Sequence, residues 1–174
     1  MEVKIDSPDP NTHAGEIICR GTNLMLGYYK NPEATAQIID KDGWLHTGDL
    51  GTMDNQGYVT IRGRSKNLLL NSSGHNIYPE EIESKLNNML YVSESLIVLQ
   101  NDKLVALIYP DFDEAFANGL QQPDIEKAME NNRIELNLQL PSYSQITKVK
   151  IHFEEFEKTA KKSIKRFMYQ EAKG

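Results

Sequence analysis

The chain has 174 residues, 39% of them hydrophobic and 25% charged, which suits one folded domain or two small ones and argues against a disordered tail. Nineteen basic residues against 25 acidic ones leave a net charge of −6, so the broad cationic face that general nucleic-acid binding requires is not expected. No apolar run is long enough for a membrane-spanning helix, and the first ten residues carry no secretory pattern. Cys19 is the single cysteine, so neither an intramolecular disulfide nor a cysteine zinc cluster is expected.

Residues 1–62 read as short strands and turns. Glu16–Arg20 is a strand between Gly15 and Gly21, and Pro32–Thr35 opens a brief helix with proline and an acid in its first turn. Asp42-Gly43 and Gly48-Asp49 bracket Trp44–Thr47, and Asn55–Gly57 turns into an alternating strand, Tyr58–Arg62. The texture changes at a polar joint, Arg64–Lys66. Pro79 then begins a helix with Ile82, Leu86, Met89 and Leu90 on one face. Ser95–Leu99 and Leu104–Tyr109 form a hairpin across Gln100–Lys103. A second helix starts at Asp124 as N-cap and carries Ile125, Ala128, Met129 and Leu136. A strand at Val149–Phe153 and a basic stretch, Lys158–Arg166, lead to a final helix. With the apolar run Leu68–Leu70 as a first strand, the order strand, helix, hairpin, helix, strand predicts a small α+β domain. No internal repeat or low-complexity segment is visible.

Four places could carry chemistry. Asp49, between Gly48 and Gly51, either accepts hydrogen bonds from a vicinal diol or satisfies the N–H groups of its own turn. Arg64 offers a fixed fork of donors to the same ligand, or pairs with a surface acid. Asn71–Asn76 is small and polar, and is either a loop that lets a ligand approach its backbone or an ordinary connection. His75 has no second histidine or cysteine at metal-ligand spacing. Lys158, Lys161, Lys162, Lys165 and Arg166 form the one cationic cluster of an acidic chain, matched to phosphate or simply solvated.

Taken in order, these segments resemble the adenylate-forming superfamily, which includes acyl-CoA synthetases, luciferases and the adenylation domains of nonribosomal peptide synthesis. The resemblance rests on Gly15–Ile17, Gly27–Thr35, Asp42–Gly51, Gly57-Tyr58, Gly63–Asn67, Ser73–Glu83 and Phe156–Arg166, and spans nearly the whole chain. The Gly74–Glu83 stretch is most similar to bacterial long-chain fatty acid–CoA ligases. Members of the superfamily are several times longer. The large N-terminal domain of such an enzyme, with its lysine-ending phosphate loop, adenine pocket and acyl tunnel, has no counterpart in these residues. The resemblance therefore implies a C-terminal portion of a ligase, inactive by itself and reaching ATP, fatty acid and CoA through the missing domain. Residues 1–64 would be the end of a small distorted β-barrel subdomain. Residues 65–174 would be a mobile α+β lid, a hairpin plus three-stranded sheet with helices.

By family role, Asp49 would bind the ATP ribose and Arg64 would assist it. Lys66 would be the hinge about which the lid rotates between the adenylating and thioester-forming states, and Ser73, Gly74 and His75 would face CoA. ATP with Mg2+ and CoA would be substrates of the full-length enzyme, none held tightly by this portion and no metal held by its own residues. Two departures are visible. Asn76 stands where some members have arginine, and Ser163 falls at the catalytic lysine position, so either adenylation is impaired or Lys162 or Lys165 substitutes. A cytoplasmic location, peripheral to the membrane through the lipid substrate, is also implied. The alternatives are a ligase for another carboxylic acid and a non-catalytic binding or regulatory module that kept the lid fold.

Overall fold

Val3 and Ile5 alternate with polar neighbours, and that alternation makes the first ordered segment a strand, β1 (Glu2–Asp6), with Ile5 buried. β1 pairs antiparallel with β2 (Gly15–Arg20). Helix α1 (Pro32–Ile38) follows, with proline at its start and the Asn31 side chain accepting from Ala34 N–H at 3.0 Å. β3 (Leu45–Met53) and β4 (Val59–Arg64) complete a four-stranded antiparallel sheet in the order β1-β2-β3-β4. In the computed structural model, which describes residues 1–170, this sheet is open, with β1 and β4 at its edges. Gly15 is required by the close approach of β1, since a Cβ there would lie 2.0 Å from the Asp6 carbonyl oxygen. Trp44 is buried, with Lys4 Nζ 4.2 Å and Arg20 Cζ 4.5 Å from its ring centroid.

The chain divides into two compact units at Leu68/Leu69, just after the polar joint. The second unit opens with a two-stranded ribbon, β5 (Leu69–Leu70) and β6 (Asn76–Ile77), and helix α2 (Pro79–Leu86). β7 (Val92–Gln100) and β8 (Lys103–Pro110) form the expected hairpin. Asn101 and Asp102 both take left-handed φ, +48° and +59°, a turn whose twist matches that of the flanking strands. α3 (Phe112–Ala117) and α4 (Gln122–Asn137) then cross over to β9 (Lys148–Ile151), which pairs parallel with β8 and gives the order β7-β8-β9.

Period-two alternation sorts this sheet's side chains into two cores. Ile97, Ala106 and Ile108 pack with Ile82 and Leu86 of α2 and with Ile125, Met129 and Leu136 of α4. Leu96, Val98, Val105 and Leu107 face the other way and lie under Phe156. Each fully buried side chain of this kind contributes about 1.5–3 kcal/mol. Asn137 fixes the segment before β9, donating from Nδ2 to Ile146 O and accepting from Ile146 N–H, each at 2.8 Å.

Several expectations are corrected in detail. Gln121, not Asp124, is the N-cap of α4; Asp124 occupies the third helical position and accepts from Gln121 N–H at 2.9 Å, completing a capping box. α2 ends at Leu86, so Met89 packs on the core from the following turn while Leu90 is exposed. The last strand stops at Ile151, where His152 N–H donates to Ile108 O at the end of β8, and Phe153 projects outward. A 3-10 turn, Arg166–Met168, stands where a final helix was expected. β1, α3 and β6 had no clear sequence signal, whereas β5 falls on the apolar run Leu68–Leu70. No helix among the described residues is long and apolar enough to cross a membrane.

Candidate functional site

Asp49 lies inside β3 rather than in a turn, because the chain stays paired through Gly48 by means of a bulge. Gly48 takes φ +72°, and the β2–β3 register shifts between Glu16 and Ile18. Glu16 holds this irregularity from β2. Its Oε1 accepts from Gly48 N–H at 2.8 Å and its Oε2 meets His46 Nδ1 at 2.7 Å. Thr47 Oγ1 donates to Ile17 O at 2.6 Å and accepts from Asp49 N–H at 3.0 Å. Across the strand pair, Asp49 and Arg64 are direct Cα partners, and Arg64 Nε lies 2.7 Å from Asp49 Oδ1. Both side chains remain partly exposed. Strand register thus joins an acid and a guanidinium that the sequence places on either side of a turn, and presents both to solvent.

Lys66 is exposed in a single 3-10 turn, Ser65–Asn67, immediately before the boundary between the two units.

The Ser73-Gly74-His75 loop joins β5 to β6 and is built around Asn71. Asn71 Oδ1 accepts from the N–H groups of Ser73 (3.1 Å) and His75 (2.9 Å), Asn71 O accepts from Gly74 N–H at 3.0 Å, and Asp102 Oδ1 accepts from Ser72 N–H at 2.9 Å. These amides are occupied, so the loop is not an anion nest. What it offers is Gly74 at φ +78° over open space, beside an aromatic plane. The His75 ring stacks on Tyr143 with centroids 4.5 Å apart and planes 8° from parallel. Tyr143 carries no sequence signal, because it arrives from far along the chain.

The basic stretch is a hairpin. Lys158 bridges Ile164, Thr159 N–H donates to Ser163 O at 2.8 Å, and Lys165 N–H donates to Glu157 O at 2.8 Å. Phe156, Ile164 and Tyr169 pack on Leu96, Val98, Val105 and Leu107. Three of the five cations are paired. Lys158 Nζ meets Glu94 Oε1 at 2.7 Å and Glu155 Oε2 at 3.1 Å, Lys165 Nζ meets Glu157 Oε2 at 3.4 Å, and Arg166 Nη2 meets Glu83 Oε2. The carboxylates beside Lys158 push its ammonium above the usual lysine range. Lys161 and Lys162 are exposed at the tip, without a side-chain partner among the described residues, and Lys162 takes φ +61°. Ser163 sits at the base of that turn. Glu83 was not singled out, although its spacing carries a signal: it stands with Pro79, Ile82 and Leu86 on the buried stripe of α2. Among the described residues no group of three or more histidines, cysteines, aspartates or glutamates gathers as a metal site.

An open antiparallel sheet bearing the Asp49–Arg64 pair, followed by a three-stranded sheet capped by a lysine hairpin, defines the C-terminal part of an adenylate-forming enzyme. The profile of the AMP-binding enzyme C-terminal domain matches residues 66–172, and the chain belongs to that family. A methyl-dioxo-octahydro-indenyl-propanoyl:CoA ligase of Rhodococcus jostii is 49% identical over 98 residues, covering 56% of this chain. The 2-methylpropanoate–CoA ligase of Humulus lupulus is 33% identical over 181 residues, covering 98% of it. A long-chain-fatty-acid–CoA ligase of Salmonella typhimurium is 48% identical over 86 residues, covering 47% of it. The chain spans 18%, 31% and 15% of the lengths of these three relatives. Among solved structures, the adenylation domain of a Mycobacterium chelonae carboxylate reductase superposes with a TM-score of 0.81 at 20% identity, over 97% of this chain and 29% of that one. The o-succinylbenzoate CoA synthetase of Bacillus subtilis does so with a TM-score of 0.76 at 24% identity, over 99% and 34%. At these identities the likeness bears on the fold alone.

Proposed function

We propose that this chain is the C-terminal portion of an ATP-dependent acyl-CoA ligase whose acid is a long-chain fatty acid. In the first step a carboxylate oxygen attacks the α-phosphorus of ATP, the bond to pyrophosphate breaks, and acyl-adenylate forms. In the second the CoA thiolate attacks the acyl carbon and AMP leaves. Asp49 accepts from the ribose hydroxyls, Arg64 orients it, and Ser73, Gly74 and His75 border the CoA arm. The observation that carries this reading is the Asp49–Arg64 pair, set opposite one another on neighbouring strands within a family whose named relatives are CoA ligases. The Salmonella relative supports the long-chain acid; the Rhodococcus relative, equally similar over its match, favours a ring-bearing acid as the second reading.

Lys162 takes the role of the lysine that Ser163 replaces. Charge accumulates on the phosphates during adenylation, and the ammonium of Lys162, at an exposed tip and without a side-chain partner among the described residues, can meet it, whereas Lys165 is engaged by Glu157. In the full-length ligase, Lys162→Ala is expected to lower ATP–pyrophosphate exchange about a hundredfold, with Lys165→Ala close to wild type. Exchange that is unaffected by Lys162→Ala and raised by Ser163→Lys would show a slow adenylator without a substitute. The chain alone should make no acyl-CoA and should bind ATP no tighter than about millimolar, since a few exposed hydrogen bonds do not offset the entropy of association. Micromolar binding in calorimetry would overturn that.

A further inference from the structure

We propose that Glu83 and Glu94 are positioning residues that clamp the two legs of the C-terminal hairpin and so hold the Lys161-Lys162 tip in place; for the tip's task this rests on the reading given above. Lys158 lies on the first leg and pairs with Glu94 of β7, while Arg166 lies on the second and pairs with Glu83 of α2. Apolar packing of Phe156, Ile164 and Tyr169 seats the hairpin on one face of the sheet but is non-directional. Two ion pairs at separate points, one per leg, remove the remaining freedom to slide or pivot.

The Glu83 pair is built for geometry rather than for stability. A buried ion pair is often no more stabilising than apolar side chains of the same volume, because desolvation offsets the attraction. What it adds is direction. Both oxygens of Glu83 are engaged: Oε2 takes Arg166, and Oε1 accepts from Ile97 N–H at 2.7 Å. β7 is an edge strand, so that N–H has no strand partner, and Glu83 satisfies it while tying α2 to the hairpin around the sheet's edge. With both oxygens held, the carboxylate cannot rotate, and Arg166 inherits its orientation. Glu83 and Arg166 are also nearly closed to solvent, with side chains 9% and 14% exposed, so the pair is little screened. The clamped positions flank a turn that Thr159 N–H closes on Ser163 O at 2.8 Å and Lys162 N–H on Thr159 O at 2.9 Å, so the stem's placement is passed to the Lys161-Lys162 tip.

Amide hydrogen exchange on the 174-residue chain reads the clamp directly. Glu83→Gln keeps an oxygen for Ile97 N–H and removes the charge. It is expected to speed exchange at Thr159, Lys162 and Lys165 by about tenfold or more while β8 amides keep their protection. Glu94→Gln, at a more exposed pair, is expected to act in the same direction by a smaller factor. In the full-length ligase both variants are expected to slow ATP–pyrophosphate exchange while leaving transfer of preformed acyl-adenylate to CoA at its wild-type rate. Equal loss in both half-reactions, with β8 protection falling too, would show a structural role only and overturn the proposal. Unchanged protection of the hairpin in both variants would also overturn it. So would a loosened hairpin with normal exchange activity in an enzyme that Lys162→Ala disables. If Lys162→Ala itself has no effect, the tip's assignment fails instead, and hydrogen exchange still decides whether the clamp exists.

Discussion

Asp49 depends on neighbours that do no chemistry of their own. Its backbone is set by the bulge at Gly48, and that bulge is held by Glu16, whose other oxygen faces His46. The hydrogen bond to Glu16, reinforced by the charges of Glu16 and Asp40, raises the His46 pKa above 6.5 against a smaller opposing effect of burial. A raised folded-state value means that the imidazolium's contribution is fully present below pH 6.5 and is lost as pH rises through the folded pKa. The stability gap between wild type and His46→Gln should therefore be larger near about pH 5.5 than near about pH 8.5. Denaturant unfolding at the two pH values checks this. An equal gap would mean that the charge plays no part.

Secondary structure follows local chemistry closely where a segment is amphipathic and long. α4 has its apolar residues at helical spacing, with Ile125, Met129 and Leu136 fully or almost fully buried. Its start was displaced by one device: Asp124 caps by reaching back to Gln121 N–H from the first turn, so the sequence signal for capping was correct in residue type and wrong in position. Asp124→Ala is expected to cost about 1 kcal/mol, seen as a lower urea midpoint with an unchanged slope. A loss below about 0.3 kcal/mol would show that tertiary packing alone sets this end of the helix. β3 was harder to read, because two glycines within Leu45–Met53 look like turn residues and serve instead as bulge positions in a continuous strand.

The chain forms two units, each with its own buried side chains. The first unit buries few large side chains (Ile5, Trp44 and Leu50), whereas the second carries a core on each face of its sheet. Lys66, in an exposed turn beside the boundary, is our proposed hinge. Proline there would fix φ and delete an N–H, so in the full-length ligase Lys66→Pro should slow one half-reaction at least about tenfold more than the other. Parallel assays of pyrophosphate exchange and of acyl transfer to CoA test this, and an equal effect on both would remove Lys66 from that role.

Composition, periodicity and motif order in the amino-acid sequence were enough to determine the α+β class, the hairpin at Asn101-Asp102, the buried face of α4, the Ile82 and Leu86 positions of α2, and the family. These are local or additive properties: a period reports which face is buried, and an ordered set of motifs needs no coordinates. The tertiary structure alone decided that Asp49 faces Arg64, that His75 stacks on Tyr143, and that Glu83 holds Arg166 from the far end of the unit. It also decided which lysines of one run are spent on carboxylates and which, at the tip, have no side-chain partner among the described residues. Such pairings form between segments brought together only by strand register and core packing, and a run of like charges looks the same in sequence whether or not an acid elsewhere in the chain comes to meet it.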